Sequence, residues 1–279
     1  MLALIISILI SAISYFAGLA AHFSKGQTIA SGIAGFVIAQ VLIGLLIRRK
    51  SKKISNELQD ILMNAQKRMQ QKINQFQNKP GGNPKLMQQQ LERDQKAVIQ
   101  KALDHTSAFE PLKKWNLLMG KQISTMRMQF LYQLKEFEQV DQILAKKGIF
   151  STPIFAEPMT VAMNMARQFK NNNFEAVEKT FKRRIKWFRG DRGTLLYAVL
   201  SWVYMKQGES DKARQLLLKA KEATGEPVFA RNWELLSNCK DKKFSNAGLG
   251  DEWFGLYLEN PPAPKQQRVR QKQRGGRPF

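Results

Sequence analysis

Two apolar segments occupy the first 47 residues and constrain this chain more than any other feature. Met1–Phe23 and Ile29–Ile47 are separated by five residues, and the only formal charge in the whole stretch is Lys25. Each segment has a length of about 20 residues, which as an α-helix matches a hydrocarbon core of roughly 30 Å. We therefore expect residues 1–47 to form a transmembrane helical hairpin.

A basic cluster directly after the second segment predicts the orientation of this hairpin. It consists of Arg48, Arg49, Lys50, Lys52 and Lys53. Positive charge beside a span marks its cytoplasmic end. Because the loop between the segments is short, both ends of the hairpin then face the cytosol. The chain is expected to be an integral membrane protein with two spans and a cytoplasmic domain, anchored in a bacterial cytoplasmic membrane.

A cleaved signal peptide is the alternative interpretation of Met1–Phe23, since Ala17–Ala21 resembles a cleavage site. Two features disfavour it. No basic region precedes the apolar run, and a second apolar segment follows at once.

Small residues recur at intervals of four within both segments. Such spacing lets two helix backbones approach closely. We expect these residues to pack the two helices of the hairpin, with homodimerisation or docking on another membrane protein as the alternative. They are Ser14, Gly18, Ser31, Gly35 and Ala39. Neither segment contains Asp, Glu, Lys or Arg, which disfavours an ion or proton pathway.

The composition excludes several classes of function. The chain has 45 basic and 22 acidic residues, and its formal charge of +23 attracts polyanions, with anionic lipid headgroups and RNA as candidates. The single Cys239 excludes an intramolecular disulfide, and His105 does not complete a zinc site with it. No phosphate-binding loop, nucleophile elbow or pair of catalytic carboxylates is recognisable. We therefore expect neither enzyme activity nor a cofactor or metal.

Two amphipathic segments follow the basic cluster. Apolar residues recur every three or four positions in Ile54–Phe76 and again in Met87–Ala102, which predicts two helices. Lys79–Pro84 separates them with two prolines and two glycines. We predict an antiparallel helical pair over residues 48–106, with a coiled coil between two copies of the chain as the alternative. Ser107–Glu110 has the form of a capping box and predicts that a new helix begins there.

Residues 107–258 contain regularly spaced helix breakers and no run with the alternation of a strand. The predicted fold class is therefore all-α. The clearest unit is Leu195–Pro227, in which small residues lie where two helices would cross. Its characteristic positions are Tyr197, Leu200, Ser201, Tyr204, Gly208, Ala213, Leu217, Ala220 and Pro227. This unit resembles the tetratricopeptide repeat (TPR) family, in which a helix–turn–helix of about 34 residues is repeated.

Weaker copies flank this unit. The equivalent positions Val140, Val177, Ala213 and Ala247 are 37, 36 and 34 residues apart. The resemblance covers residues 125–258 and implies a TPR-like α-solenoid whose groove binds a protein or peptide. Most of the aromatic side chains here are expected in the core, with groove anchors as the alternative. They are Trp187, Phe188, Trp202, Trp233 and Trp253.

A second basic cluster lies within this repeat region. It consists of Lys179, Lys182, Arg183, Arg184, Lys186, Arg189 and Arg192. Helical spacing puts Lys179, Lys182, Arg183 and Lys186 on one face. This patch predicts a contact with an anion or an acidic partner; a solvated face is the alternative. Residues 259–279 are rich in Pro, Gln, Arg and Gly, and such a basic tail is expected to be disordered.

The four predicted parts are the hairpin 1–47, the helical pair 48–106, the repeat domain 107–258 and the tail 259–279. Together they predict a non-enzymatic scaffold that recruits a protein partner to the cytoplasmic face of a membrane. The alternative is an RNA- or ribosome-associated membrane factor that uses the second basic cluster and the tail. Salt dependence distinguishes the two, because polyanion binding weakens steeply with added salt.

Overall fold

The computed structural model describes residues 2–77, 84–116, 118–146 and 157–261. Within these ranges the chain forms helices and turns and no strand, which confirms the all-α class. The chain divides into two compact units, Met1–Asn173 and Phe174–Phe279. The predicted linker at residues 79–83 and the tail after Pro261 lie outside the described residues.

The first unit begins with two apolar helices, α1 (Leu2–Ala20) and α2 (Lys25–Gln77). Both are long and apolar enough to cross a membrane by length and composition, with mean hydropathies of 2.3 and 2.2 over their apolar parts. α2 has 53 residues and continues without a break from the second apolar segment through the basic cluster. The expected boundary at residue 47 is therefore not a break in the backbone, because no Gly or Pro follows Gly44 within α2.

Small residues bring α1 and α2 into close contact. Ser31 Oγ donates a hydrogen bond to the Ser14 carbonyl oxygen at 3.1 Å, and Ser11 Oγ donates one to the Gly32 carbonyl oxygen at 2.8 Å. A Cβ atom on Gly35 would collide with the Ser14 side chain. Gly18 lies in the same seam against Ser31, and Ala39 is buried.

Four further helices complete the first unit: α3 (Pro84–His105), α4 (Met119–Gln133), α5 (Phe137–Ala145) and α6 (Pro158–Lys170). α3 packs on the polar half of α2, where Lys72 forms an ion pair with Asp94 at 2.5 Å. α4 closes this pair, since Phe130 packs with Leu58 and Ala102 in one buried cluster.

The expected helix start at Ser107–Glu110 is wrong. α3 runs directly into a 3₁₀ helix, Thr106–Lys114. Ser107 Oγ donates to the Asp104 carbonyl oxygen at 2.7 Å instead of capping a new helix. Glu110 pairs with Lys113 at 2.5 Å and Arg127 at 2.9 Å, so its carboxylate stabilises the contact with α4.

The second unit contains α7 (Phe174–Arg184), α8 (Thr194–Lys206), α9 (Ser210–Thr224), α10 (Pro227–Ser237) and the short α11 (Asp251–Phe254). α8 is the central helix, and most of its side chains are buried. α9 packs on α8 through one apolar face. That face consists of Ala213, Leu216, Leu217 and Ala220.

Four of the helices that follow α2, namely α4, α6, α8 and α10, end with the same turn. Each turn has one residue with a left-handed backbone: Lys135, Asn172, Gly208 and Cys239. In each turn the following amide donates to the carbonyl oxygen five residues earlier at 2.9 Å. This is the Schellman arrangement, which satisfies the last carbonyl groups of a helix.

A network of polar side chains closes the second unit. Asn246 Nδ2 donates to the Ala198 carbonyl oxygen at 2.9 Å, and Asn232 Nδ2 donates to Asn246 Oδ1 at 2.9 Å. Trp253 Nε1 donates to Glu259 at 2.7 Å, so Glu259 belongs to the folded unit and not to the tail. Ala247 lies in a 3₁₀ helix, unlike the helical Val140, Val177 and Ala213 that it was expected to match.

Candidate anionic-partner surface

Helix α7 carries the second basic cluster, and its apolar face fixes the direction of these cations. Val177, Thr180 and Phe181 are buried. The Phe181 ring meets the Tyr197 ring of α8 edge to face, with their centroids 5.2 Å apart. Because this face is held against α8, the side chains on the opposite face of α7 project outward.

Four of the predicted cations line one cleft of about 650 Å³ beside the turn between α8 and α9. They are Lys179, Lys182, Arg183 and Lys186. Phe174 forms an apolar part of the wall. Gln207 and Glu209 come from the opposite side of the cleft. The structure thus places these cations around a concave surface.

The other three predicted cations do not line the cleft. The Arg192 guanidinium lies 5.6 Å from the centroid of the Phe188 ring, and Arg189 is exposed. Arg184 is partly buried, and burial together with the charge of Arg183 lowers the pKa of its guanidinium. The positive charges on α7 therefore repel one another, and a bound anion would reduce this repulsion.

Acidic residues mark one edge of the cleft. Glu178 pairs with Lys182 at 3.1 Å, and Glu209 pairs with Lys212 at 2.9 Å. Burial first, and then the charge and hydrogen bond of Glu178, raise the pKa of Tyr204 to about 12. Tyr204 thereby connects α8 to the acidic edge, while no described carboxylate forms an ion pair with Lys179, Arg183 or Lys186.

Trp187 is the aromatic residue that differs most from expectation. Its side chain is 72% exposed, whereas Phe188, Trp202 and Trp253 are buried as predicted. Helical spacing gives the signal for this difference: Phe188 lies seven residues, or about two turns, after the buried Phe181, and Trp187 is rotated away from that face. An exposed indole therefore lies directly beside the cations.

The remaining predicted residues have mostly structural positions. Gly208 has a φ of +76° and permits the turn between α8 and α9, and Pro227 is the first residue of α10. Tyr197 is partly buried. The other predicted repeat-packing residues are buried: Leu200, Ser201, Tyr204, Ala213, Leu217 and Ala220. Arg48, Arg49, Lys50, Lys52 and Lys53 all project from the exposed surface of α2.

The described residues contain no group of three or more His, Cys, Asp or Glu side chains that could hold a metal ion. No protein-family model, curated protein or solved structure matches this chain. The geometry of the chain itself must therefore support any functional assignment.

Proposed function

We propose that the chain is a membrane-anchored, non-enzymatic scaffold that recruits an acidic segment of a protein partner to the cytoplasmic face. The observation that carries this proposal is the cleft beside α7, where four cations line one side of a concave site and Phe174 forms an apolar part of its wall. The assignment has three supports: the apolar helices, the repeated turns and the charge pattern of the cleft.

The apolar helices support the membrane anchor through their exposure. Only 17% and 11% of the apolar parts of α1 and α2 are buried inside the protein. A core helix of a soluble protein would be mostly buried, so these surfaces require another apolar medium. A lipid bilayer supplies that medium, and the basic cluster from Arg48 to Lys53 fits its cytoplasmic boundary.

The repeated turns support a TPR-like architecture. Lys135, Asn172 and Gly208 occupy the same place in three successive turns, at intervals of 37 and 36 residues. Ser201 and Ala213 are small and buried at the crossing of α8 and α9, as the resemblance to the TPR family implies. Stacked helical pairs present extended surfaces to partners, which suits recruitment better than catalysis.

The charge pattern of the cleft favours an acidic peptide over a polyphosphate backbone. Carboxylates of the peptide can pair with Lys179, Arg183 and Lys186, and an apolar side chain can contact Phe174. Glu175, Glu178 and Glu209 also line the cleft and would repel a continuous row of phosphates. Their carboxylates can instead accept hydrogen bonds from the peptide.

RNA binding is the second candidate function, and one observation favours it. Trp187 is exposed between cationic neighbours, Lys186 and Arg189, and an indole beside cations can stack on a nucleobase. The two functions differ in their response to salt and nuclease, since phosphate contacts release counterions.

The test compares partner capture by the full chain in detergent, with and without nuclease, for two charge-reversed variants. One variant carries Lys182→Glu, Arg183→Glu and Lys186→Glu in the cleft. The matched control carries Lys219→Glu, Lys242→Glu and Lys243→Glu at exposed positions of the same unit. We expect the cleft variant alone to lose its protein partner and nuclease to have no effect.

Two results would contradict the scaffold. Equal loss in both variants would show that the overall charge, and not the cleft, attracts the partner. Loss of the captured protein after nuclease treatment, together with RNA recovery that falls steeply with salt, would support the RNA-associated function instead.

A further inference from the structure

A second cleft lies in the first unit, where the apolar part of α2 meets the basic cluster. It has a volume of about 1040 Å³, which is large enough for a lipid headgroup and the upper part of its chains. α1, α2 and the segment before α4 all contribute to its wall. Its position coincides with the expected boundary between the hydrocarbon core and water.

The wall of this cleft has two chemically different zones. Arg48, Arg49 and Lys52 form a cationic zone, and no described carboxylate forms an ion pair with them. Leu4 and Leu45 belong to an apolar zone. The order of the cationic and apolar zones matches an anionic phospholipid, whose phosphate lies on the water side of its acyl chains.

Helical spacing aligns the two zones on one face of α2. Gln40, Gly44, Arg48 and Lys52 follow one another at intervals of four residues and all line the cleft. Gln40 Nε2 is buried and has no hydrogen-bond partner. A buried amide donor without an acceptor is unfavourable in apolar surroundings, so this atom indicates that an acceptor belongs there. Rotation of the Gln40 amide toward the cleft would let an ester carbonyl of a phospholipid accept this hydrogen bond.

Trp115 completes the wall from the segment before α4 and is partly buried. Its amphipathic ring is suited to the headgroup level of a membrane. Leu118 also lines the cleft and is 54% exposed. Trp115 and Leu118 thus line the same cleft as Arg48, Arg49 and Lys52.

We propose that this cleft binds one anionic phospholipid, with its phosphate on Arg48, Arg49 and Lys52 and an acyl chain along Leu4 and Leu45. The inference rests on the membrane anchor of the proposed function and adds a specific lipid site to it. A bound lipid would connect the hairpin to the loop before α4.

The basic cluster contains its own control for this site. Lys50 and Lys53 belong to the same five cations but do not line the cleft. Arg49→Gln with Lys52→Gln therefore removes two charges from the cleft, while Lys50→Gln with Lys53→Gln removes two charges beside it. Diffuse attraction to an anionic surface would respond equally to both variants.

A second pair of variants tests the space in the cleft without changing charge. A Cβ atom on Gly44 would meet no atom within 4 Å, so Gly44→Phe can fill the cleft without a backbone clash. Val41→Phe is the control, because Val41 is 54% exposed on α2 and does not line the cleft.

Native mass spectrometry of the full chain in mild detergent measures the retention of phosphatidylglycerol and phosphatidylcholine. We expect retention of phosphatidylglycerol in preference to phosphatidylcholine. Affinity should fall about tenfold or more in the Arg49/Lys52 variant, because two charge-assisted contacts are lost. Gly44→Phe should also reduce retention, whereas both controls should retain wild-type levels. Glycerol 3-phosphate should not displace the lipid.

Several results would overturn the lipid site. These are equal losses in the two charge variants, no preference for phosphatidylglycerol, unchanged retention in Gly44→Phe, or full displacement by glycerol 3-phosphate. Flotation with phosphatidylcholine vesicles distinguishes failure of the lipid site from failure of the membrane anchor. A chain that floats but shows no lipid preference disproves the site alone, whereas a chain that does not float disproves the anchor.

Discussion

At the residue scale, the most informative positions are those whose backbone conformation is unusual for the type of residue. Gly208 adopts a left-handed backbone at no steric cost, but Lys135 and Cys239 adopt the same conformation in equivalent turns. That conformation costs an ordinary L-residue roughly 1–2 kcal/mol. The hydrogen bonds of the turn and the burial of the following helix compensate for this cost. Neither can be predicted from the type of residue at the turn.

Tyr204 gives a prediction at this scale, because it connects the repeat core to the acidic edge of the cleft. Its pKa rises from 10.0 to about 12, so the fold favours the neutral phenol. The stabilisation is therefore complete below pH 10.0 and disappears as the pH rises toward about 12. We expect Tyr204→Phe to show a shallower fall in melting temperature than the wild type over this range, as measured by circular dichroism.

Two other tyrosines contribute to the pH dependence of the melting temperature that should remain in the Tyr204→Phe variant. Burial raises the pKa of Tyr197 and of Tyr257, so both also favour folding in their neutral forms. An unchanged pH slope in Tyr204→Phe would show that the Tyr204 phenol does not titrate with unfolding.

At the element scale, α2 shows how one helix can serve two environments. Its apolar half faces outward with little protein around it, and its polar half packs on α3 and α4. Because α2 is continuous, the direction in which the side chains of its polar half point depends on the rotation of its apolar half. A single-residue insertion near Ser51 would rotate the two halves by about 100° relative to each other.

The crossing of α8 and α9 gives the prediction at this scale. Ser201 and Ala213 have no exposed surface, and Ser201 Oγ donates to the Ala198 carbonyl oxygen at 3.0 Å. Ser201→Trp or Ala213→Trp should overpack the core and lower the free energy of unfolding by about 1–3 kcal/mol or more. Thermal unfolding of the full chain in detergent measures the effect.

Gln215→Trp is the matched control, because Gln215 is exposed on the same helix as Ala213. This variant should melt like the wild type. If the two core variants also melt at the wild-type temperature, the close crossing of α8 and α9 is incorrect.

At the scale of the whole molecule, the proposed membrane anchor would determine where the remainder of the chain can act. Both apolar segments precede the basic cluster, and all later elements follow it. A membrane anchor with this arrangement keeps a binding surface beside the bilayer, which raises its effective concentration toward membrane partners.

The prediction at this scale is that a reporter fused after Phe279 lies in the cytosol. Protease added to the outer face of intact cells should leave the reporter and residues 48–279 uncut, because the positive cluster stays on the cytoplasmic side. Digestion from the outer face would refute the orientation. The intact mass identifies the alternative, since removal of Met1–Ala21 by signal peptidase would shorten the chain.

The sequence by itself determined the helical class, the two apolar helices and most of the residues that pack the second unit. These follow from length, periodicity and side-chain size, which act locally along the chain. It also identified the second basic cluster, and helical spacing alone placed Lys179, Lys182, Arg183 and Lys186 on one face, but it did not predict the cleft that they line. The cleft needs Gln207 and Glu209 from the turn between α8 and α9.

Only the tertiary structure decided the shapes of the two clefts and the division of the first basic cluster into residues that line a cleft and residues that do not. The capping-box pattern at Ser107 was misleading because Ser107 Oγ donates to the Asp104 carbonyl oxygen, while Glu110 pairs with Lys113 and with Arg127 of α4. The walls of both clefts depend on contacts between residues far apart in the chain. Local preferences are worth only fractions of a kcal/mol to about 1 kcal/mol, whereas buried contacts are larger and cooperative.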